Sequence, residues 1–137
     1  MLTKNEVKSL KVNNKISAII FQNPTITAGE IMKTTMEIKK ITTDALVNAT
    51  GVSVATISRL RRNECKTAFD NVIRLCIALD LSCYNSFKLI AALGYSPDKA
   101  TGRESVIYNY MSSYGKNIEE CDRLLVEMGY EGLTYNL

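Results

Sequence analysis

Apolar residues recur every three or four positions from Thr27 to Leu93, the period that is typical of α-helices. Thr27 and Glu30 have the spacing of a capping box, so we expect a helix from Thr27 to about Lys39. Its start is marked by Asn23-Pro24, since the residue before proline disfavours helical backbone. The residues expected on its buried face are Ile31, Met32, Thr35 and Ile38.

The residues from Ile41 to Asn63 predict two short helices joined by a tight turn. Thr42 is expected to cap the first helix and Ser53 the second. Gly51 stands between them, where a left-handed residue ends a helix at little steric cost. The apolar set expected to close between the two helices is Ala45, Leu46, Ala49, Val52, Ile57 and Leu60. The residues left outward on the second helix are Val54, Ala55, Ser58, Arg59 and Arg62.

Two more helices are predicted to complete a five-helix core within residues 24–97. Thr67 is expected to cap the fourth, with Asp70 at its third position. The fifth is expected from Ser86 to Leu93, closed by Gly94. Their inward residues are expected to be Val72, Ile73, Cys76, Ile77, Leu79, Phe87, Leu89, Ile90 and Leu93.

Residues 1–23 form a separate N-terminal segment whose secondary structure the pattern leaves open. Thr3 and Glu6 have capping-box spacing, which favours a helix. The run ISAIIF fits either a helix or a strand, and Asn13-Asn14 suggests a break between two pieces.

Residues 98–137 are expected to form a helical C-terminal extension after a polar linker at 97–102. Thr101 and Asn117 are expected to cap its two helices, separated at Gly115, and Gly129 to end the second. The inward stripe of the last helix is expected to be Ile118, Cys121, Leu124, Leu125 and Met128. The tyrosines of this half fit either the rim of the core or interface anchors: Tyr108, Tyr110, Tyr114, Tyr130 and Tyr135.

The 137-residue chain is 46% apolar and 23% charged, as expected for one soluble globular domain. It has neither an apolar run of the roughly 18–20 residues that a membrane span needs nor the apolar core of a signal peptide, so we expect a cytoplasmic protein. The net charge of +3 is compatible with nucleic acid. Four basic residues cluster within eight positions, opposed only by Glu64: Arg59, Arg61, Arg62 and Lys66.

The residue inventory offers little for catalysis or metal binding. There is no histidine, no glycine-rich phosphate loop and no paired C-x-x-C among the four cysteines, so we expect neither an enzyme, a cofactor nor a zinc site. The cysteines are expected to be reduced, with Cys76 serving as a small buried hydrophobe.

The run ITTDALVNATGVSVATISRL resembles the helix-turn-helix of the xenobiotic-response-element (Cro/phage-repressor) family, whose pattern is roughly I-T-x-x-x-L-A-x-x-x-G-V-S-x-x-x-I-S-x-[LI]. TAFDNVIRLCIALDL is similar to the family's next helix. The resemblance implies an all-α, lambda-repressor-like five-helix domain that binds double-stranded DNA. Thr43, Val54 and Ala55 stand where many members carry glutamine. The tail IEECDRLLVEMGYEGL resembles extensions of some Gram-positive mobile-element members.

In such a domain the second helix of the motif, residues 54–62, would enter the major groove. Val54 and Ala55 are expected to meet thymine methyl groups, Ser58 a base edge or phosphate, and Arg59 the O6 and N7 atoms of guanine. The residues expected at phosphates are Thr43, Ser53, Thr56, Arg61, Arg62, Asn63 and Lys66. Thr43 and Ser53 fit simple helix caps equally well.

Two functions fit these features. The first is a sequence-specific transcriptional regulator that reads two half-sites as a homodimer. The second is a protein-binding module on a helix-turn-helix scaffold, such as an antitoxin or an inhibitor that docks a protein partner. The short side chains at Val54 and Ala55 keep the second interpretation open.

Overall fold

A computed structural model describes residues 1–113 and 117–133, and within these residues all regular secondary structure is helical. A 3-10 turn at Pro97–Lys99 occupies part of the stretch predicted to be a linker. The eight α-helices of the described part are α1 (Lys4–Gln22), α2 (Ala28–Lys39), α3 (Thr43–Thr50), α4 (Val54–Arg61), α5 (Phe69–Ala78), α6 (Cys83–Ala92), α7 (Gly102–Ser113) and α8 (Ile118–Glu127). The predicted fold class, an all-α helix-turn-helix domain with additional helices, is confirmed.

The predicted starts of α2, α3 and α4 are correct, and local capping decides each of them. Thr27 and Glu30 form both halves of a capping box at α2. Thr42 and Ser53 accept hydrogen bonds from backbone N–H groups at the starts of α3 and α4. Gly51 ends α3 in the left-handed conformation, with φ of 75°. These contacts need only a few consecutive residues, which explains why spacing alone predicts them.

The core lies between α2, α3, α4, α5 and α6, with α1 packed against α2 and α6. The predicted inward set of α3 is partly wrong, because Ala45 and Ala49 are exposed whereas Leu46 and Thr50 are buried. The Thr50 hydroxyl donates to Leu46 O at 2.6 Å and accepts from Val52 N at 3.1 Å. Because both of its hydrogen-bonding roles are met internally, this polar side chain can occupy the core.

Two predicted helix starts in the second half of the core are wrong. Ala68, not Thr67, precedes α5, and no side chain caps that helix. The Thr67 hydroxyl instead accepts from Asn71 Nδ2 at 2.7 Å. The next helix begins at Cys83, earlier than the expected Ser86, because Ser82 caps it.

The N-terminal segment is one continuous helix, so the predicted break at Asn13 is wrong. Asn13 is only 3% exposed and its Nδ2 donates to Asp80 O at 3.0 Å. Asn85 Nδ2 donates to Asn13 O at 3.1 Å, and Ser17 Oγ donates to Asn85 Oδ1 at 2.8 Å. The asparagine therefore joins α1 to α6 through polar contacts rather than interrupting the helix.

The C-terminal extension contains the two predicted helices. Thr101 forms a capping box with Glu104, and Asn117 caps α8. Of the expected stripe, Met128 is exposed because it lies beyond the last helical residue. Tyr108 and Tyr110 are buried and Tyr130 is exposed, whereas the predictions for Tyr114, Gly115 and Tyr135 fall outside the described residues.

Two arginines attach this extension to α5. Arg103 forms a bidentate ion pair with Asp70, at 2.8 and 2.6 Å, and donates to Glu131 O at 2.8 Å. Arg74, only 3% exposed, donates to Leu133 O and to the Asn71 side chain. Burial lowers the pKa of Arg74, whereas the hydrogen bond to Asp70 raises the pKa of Arg103. The division of the chain at residues 97/98 stays a prediction, and the Arg103–Asp70 pair crosses it.

Candidate nucleic-acid interface

The first turns of α4 have one side exposed to solvent and the opposite side buried in the core. Val54 is 51% exposed, and Ala55 and Arg59 are also exposed. Ile57 and Leu60 are 0% and 1% exposed and hold the opposite face in the core. The outward orientation predicted for these residues is therefore found, and no neighbouring helix in the described part covers them.

The start of α4 is fixed by its own hydroxyl groups. Ser53 Oγ accepts from Thr56 N at 3.1 Å and donates to Thr56 Oγ1 at 2.9 Å. Thr56 and Ser58 are half-buried. Ser53 thus acts as the helix cap, which fixes the position of the residues immediately after it.

The end of α4 lies close to the start of α3. Arg61 Nη1 donates to Thr43 Oγ1 at 3.2 Å, so two residues separated by eighteen positions meet. Thr43 is the first residue of α3, where unpaired backbone N–H groups favour an anion. Two of the predicted phosphate-binding residues are therefore adjacent.

Arg62 and Lys66 are placed differently from Arg59. Arg62 forms an ion pair with Glu64, and both side chains are about half exposed, at 60% and 48%. A phosphate at Arg62 would compete with that carboxylate, although an exposed pair of this kind is worth only about 0–1 kcal/mol. The ammonium group of Lys66 lies beside Gly94 at the end of α6.

The predicted site residue Asn63 connects α4 to the start of α2. Its Oδ1 accepts from Gly29 N at 2.8 Å and its Nδ2 donates to Thr27 Oγ1 at 3.0 Å. Its backbone is left-handed, with φ of 58°, a conformation that asparagine tolerates better than most residues. The structure thus gives Asn63 a bracing role that spacing did not predict.

Gly29 is the partner of Asn63 in this contact, and its role was not predicted from the sequence either. A Cβ atom at Gly29 would lie 2.5 Å from Arg61 O and 2.8 Å from Asn63 Oδ1. Only glycine allows the backbone of α2 to approach α4 so closely. The available signal was a glycine inside a predicted helix, which costs about 1 kcal/mol relative to alanine and often marks a close contact.

The segment from α2 to the start of α6 therefore combines a capped two-helix motif, a left-handed glycine turn and an exposed helix face. Residues 32–83 match the family model for the Cro/C1-type HTH DNA-binding domain. The matched Cro/C1-type segment includes most of α2, all of α3, α4 and α5, and the first residue of α6. Comparisons with curated proteins and with solved structures give no match. The Cro/C1-type match supports a DNA-binding regulator in general, a class that is typically not enzymatic.

The remaining chemistry of the described residues is sparse. Within residues 1–113 and 117–133 no group of three or more acidic or cysteine side chains is placed to hold a metal ion. In the same residues, none of the helices combines the length and apolarity required to cross a bilayer. Burial raises the pKa of the Cys76 and Cys121 thiols to about 12, which keeps both thiols protonated and weakly nucleophilic.

Proposed function

We propose that the protein is a sequence-specific transcriptional regulator of the xenobiotic-response-element type that inserts α4 into the major groove of double-stranded DNA. The exposed start of α4 carries this proposal, because Val54, Ala55 and Arg59 face solvent from a helix whose other side is fixed in the core. The helix is roughly 12 Å long at 1.5 Å per residue, and the major groove is about 12 Å wide.

The side chains on this side of α4 suit different contacts along its successive turns. Val54 and Ala55 are short and apolar, which suits thymine methyl groups. Ser58 can donate to a base edge or a phosphate. Arg59 is long enough to pair with guanine O6 and N7, a contact worth roughly 1–3 kcal/mol of discrimination.

Phosphate contacts would flank this face. The Arg61–Thr43 pair at the start of α3 offers a guanidinium group beside unpaired backbone N–H groups. Arg62 and Lys66 supply further positive charge, and Ser53, Thr56 and Asn63 supply polar groups near the helix ends. Each neutralised phosphate should steepen the fall of affinity with salt.

Selection of bound sequences from a random duplex pool tests the proposal directly. We expect an enriched motif whose two-fold symmetry indicates a dimer, with half-site centres about 34–36 Å apart. Failure to enrich any motif, with random duplex bound equally well, would contradict sequence-specific recognition. A single enriched half-site would contradict the dimer alone.

Two variants separate base reading from phosphate binding. Arg59→Ala should weaken the selected site by roughly ten- to a hundredfold and relax one base position, because it removes a bidentate base contact. Arg62→Ala should weaken selected and random duplex alike and reduce the salt slope by about one. Fluorescence anisotropy across a salt series measures both. Equal loss from the two variants on both duplexes would contradict this assignment.

The second candidate function is a protein-binding module, an antitoxin or inhibitor that docks a protein partner. The short apolar side chains of Val54 and Ala55 favour it, because they offer no hydrogen bonds to bases. Absence of binding to random duplex at low salt would favour this candidate, since phosphate contacts are strongest there. As a DNA-binding regulator the protein would act in the cytoplasm.

A further inference from the structure

The large apolar side chains that remain exposed are concentrated at three places in the described residues. One is the start of α4, already assigned to DNA. The second is α1 and the residues before it, with the neighbouring Tyr84 at the start of α6. The third is α8 and its end, where Val126, Met128 and Tyr130 are 59%, 54% and 38% exposed. Contiguous exposed apolar side chains usually mark interaction surfaces, so α1 and α8 remain to be explained.

The outer side of α1 carries an apolar stripe beside a basic one. Phe21 is 79% exposed, Leu10 47% and Val7 38%, and their spacing of three and eleven residues places them on one side of the helix. The adjacent stripe consists of exposed lysines spaced four, three and four residues apart: Lys4, Lys8, Lys11 and Lys15. Within the part of the chain that the structure describes, no carboxylate forms an ion pair with these lysines.

The outer side of α8 has the opposite charge. The helix contains four acidic residues and a single basic one, Arg123. Exposed side chains spaced by four residues form one row on α8, with Arg123 between Glu119 and Glu127 and with Val126 beside them. Cys121 and Leu125 face the core. Glu120, also exposed, accepts a hydrogen bond from Tyr110 OH at 2.8 Å.

We propose that α1 of one copy of this chain docks on α8 of a second copy. The lysine stripe would face Glu119 and Glu127, and the stripe of Val7, Leu10 and Phe21 would cover Val126. The dimensions agree, because Lys8 and Lys15 are separated by about 10 Å along the helix and Glu119 and Glu127 by about 12 Å. In a two-fold dimer this contact forms twice, α1 on α8 and α8 on α1.

Pairing α1 with itself would oppose two lysine stripes, and pairing α8 with itself would oppose two helices that each carry a net negative charge. Like charges placed opposite each other are unfavourable, so charge alone selects the mixed pair. This inference rests on the dimer of the proposed function and names the two surfaces that form it. It is tested without DNA, so its failure leaves DNA binding separately measurable.

The experiment uses two charge-reversed full-length variants and analytical ultracentrifugation at low salt. One carries Lys8→Glu and Lys11→Glu, and the other carries Glu119→Lys and Glu127→Lys. We expect the unaltered protein to dimerise, with weaker association at higher salt. Each variant alone should associate at least about tenfold more weakly, because both contacts lose their attraction between opposite charges.

Mixing the two variants is the decisive measurement. In the mixed dimer both contacts again join opposite charges, so association should return to within about threefold of the original strength. A control with Lys33→Glu and Lys99→Glu has the same net charge as the first variant, and it should dimerise like the unaltered protein. Circular dichroism checks that every variant is folded. If a reversed variant does not fold, the neutral pairs Lys8→Gln/Lys11→Gln and Glu119→Gln/Glu127→Gln replace it, and each should weaken association and reduce its salt dependence.

Three results would overturn the proposal. The first is an unaltered protein that stays monomeric at low salt and high concentration. The second is a dimer that persists in both reversed variants or fails to return on mixing. The third is a loss of DNA affinity in the Lys8→Glu/Lys11→Glu variant without a change in association, which would assign the lysine stripe to phosphates instead.

Discussion

Two junctions in this molecule hold a helix end in place, and they are built from opposite kinds of chemistry. Behind α4, Gly29 and Asn63 form a junction of neutral groups in tight contact, with one hydrogen bond at 2.8 Å and a backbone approach that excludes a Cβ atom. Behind the C-terminal extension, Asp70, Arg74 and Arg103 form a junction of charged groups.

The difference indicates what each junction responds to. A neutral contact fixes distance and orientation, and salt affects it little. An ion pair tolerates small displacements but weakens as salt screens it. We therefore expect α4 to keep its orientation over a wide range of salt, while attachment of the C-terminal extension varies.

The largest effect is expected from Gly29→Ala. The added methyl group would overlap Arg61 O and Asn63 Oδ1, so α2 and α4 must separate. We expect a loss of about 2–3 kcal/mol in the free energy of unfolding, measured by urea denaturation and unchanged by salt. Ser105→Ala, at an exposed helical position, is the control and should change stability by less than about 0.5 kcal/mol. A Gly29→Ala protein as stable as the original would contradict the close approach.

A smaller loss is expected from Asp70→Asn. The substitution keeps the shape of the side chain but removes the negative charge that faces Arg103 and lies near buried Arg74. Because the pair is about one-fifth exposed, we expect a loss of about 1–2 kcal/mol at low salt that shrinks as salt is added. The same urea titration at two salt concentrations measures it. A loss that does not depend on salt would show that packing, not charge, dominates this junction.

Asn63→Ala should cost about 1–2 kcal/mol, because it removes two hydrogen bonds and places alanine at a positive φ. Asn63→Gly provides the comparison, since glycine accepts that backbone conformation while losing the same hydrogen bonds. Urea denaturation of both variants separates the two contributions. Equal stability of both variants and the original would show that the brace contributes nothing.

The smallest expected effect is a difference in reactivity between two buried thiols, which lie on the two sides of the charged junction. Cys76 lies in α5 and Cys121 in α8, and burial raises the pKa of each to about 12. Both raised values mean that stability is lost as pH rises from the ordinary thiol pKa, near 9.0, toward about 12. If the C-terminal extension opens first, Cys121 should react with a thiol reagent before Cys76, and salt should widen the gap.

Exposed Cys83 serves as the internal control for that measurement, because it should react immediately at every salt concentration. Mass spectrometry of the labelled peptides assigns each rate. Equal rates for Cys76 and Cys121 would indicate that the two regions open together.

The sequence predicted best the features that depend on neighbouring residues. Thr27, Thr42 and Ser53 each cap a helix through a contact three residues away, and Gly51 ends α3 by its own backbone conformation. The outward face of α4 also followed from helical spacing alone. The roles of its residues in DNA binding stay predictions.

Several errors occurred where distant residues decide. Asn13 was predicted as a break because asparagine is a poor helix former, yet contacts with residues about seventy positions away keep it in the helix. Thr67 was predicted to cap α5, but its hydroxyl accepts a hydrogen bond from Asn71 instead. The Asp70 carboxylate accepts from Arg103. Gly29 and Asn63 were not predicted as a pair, because nothing local indicates that α2 and α4 touch there.

The close contact at Gly29 also bears on redesign of this protein for other DNA targets. The angle of α4, the helix that we propose to enter the major groove, depends on the absence of a side chain at Gly29, which contacts the other side of that helix. Variant libraries that change only the exposed positions of α4 would leave that angle unchanged. Enlarging Gly29 by one carbon would shift the exposed face of α4 as a unit, so a change in target preference would need no change at the positions that we propose to contact bases.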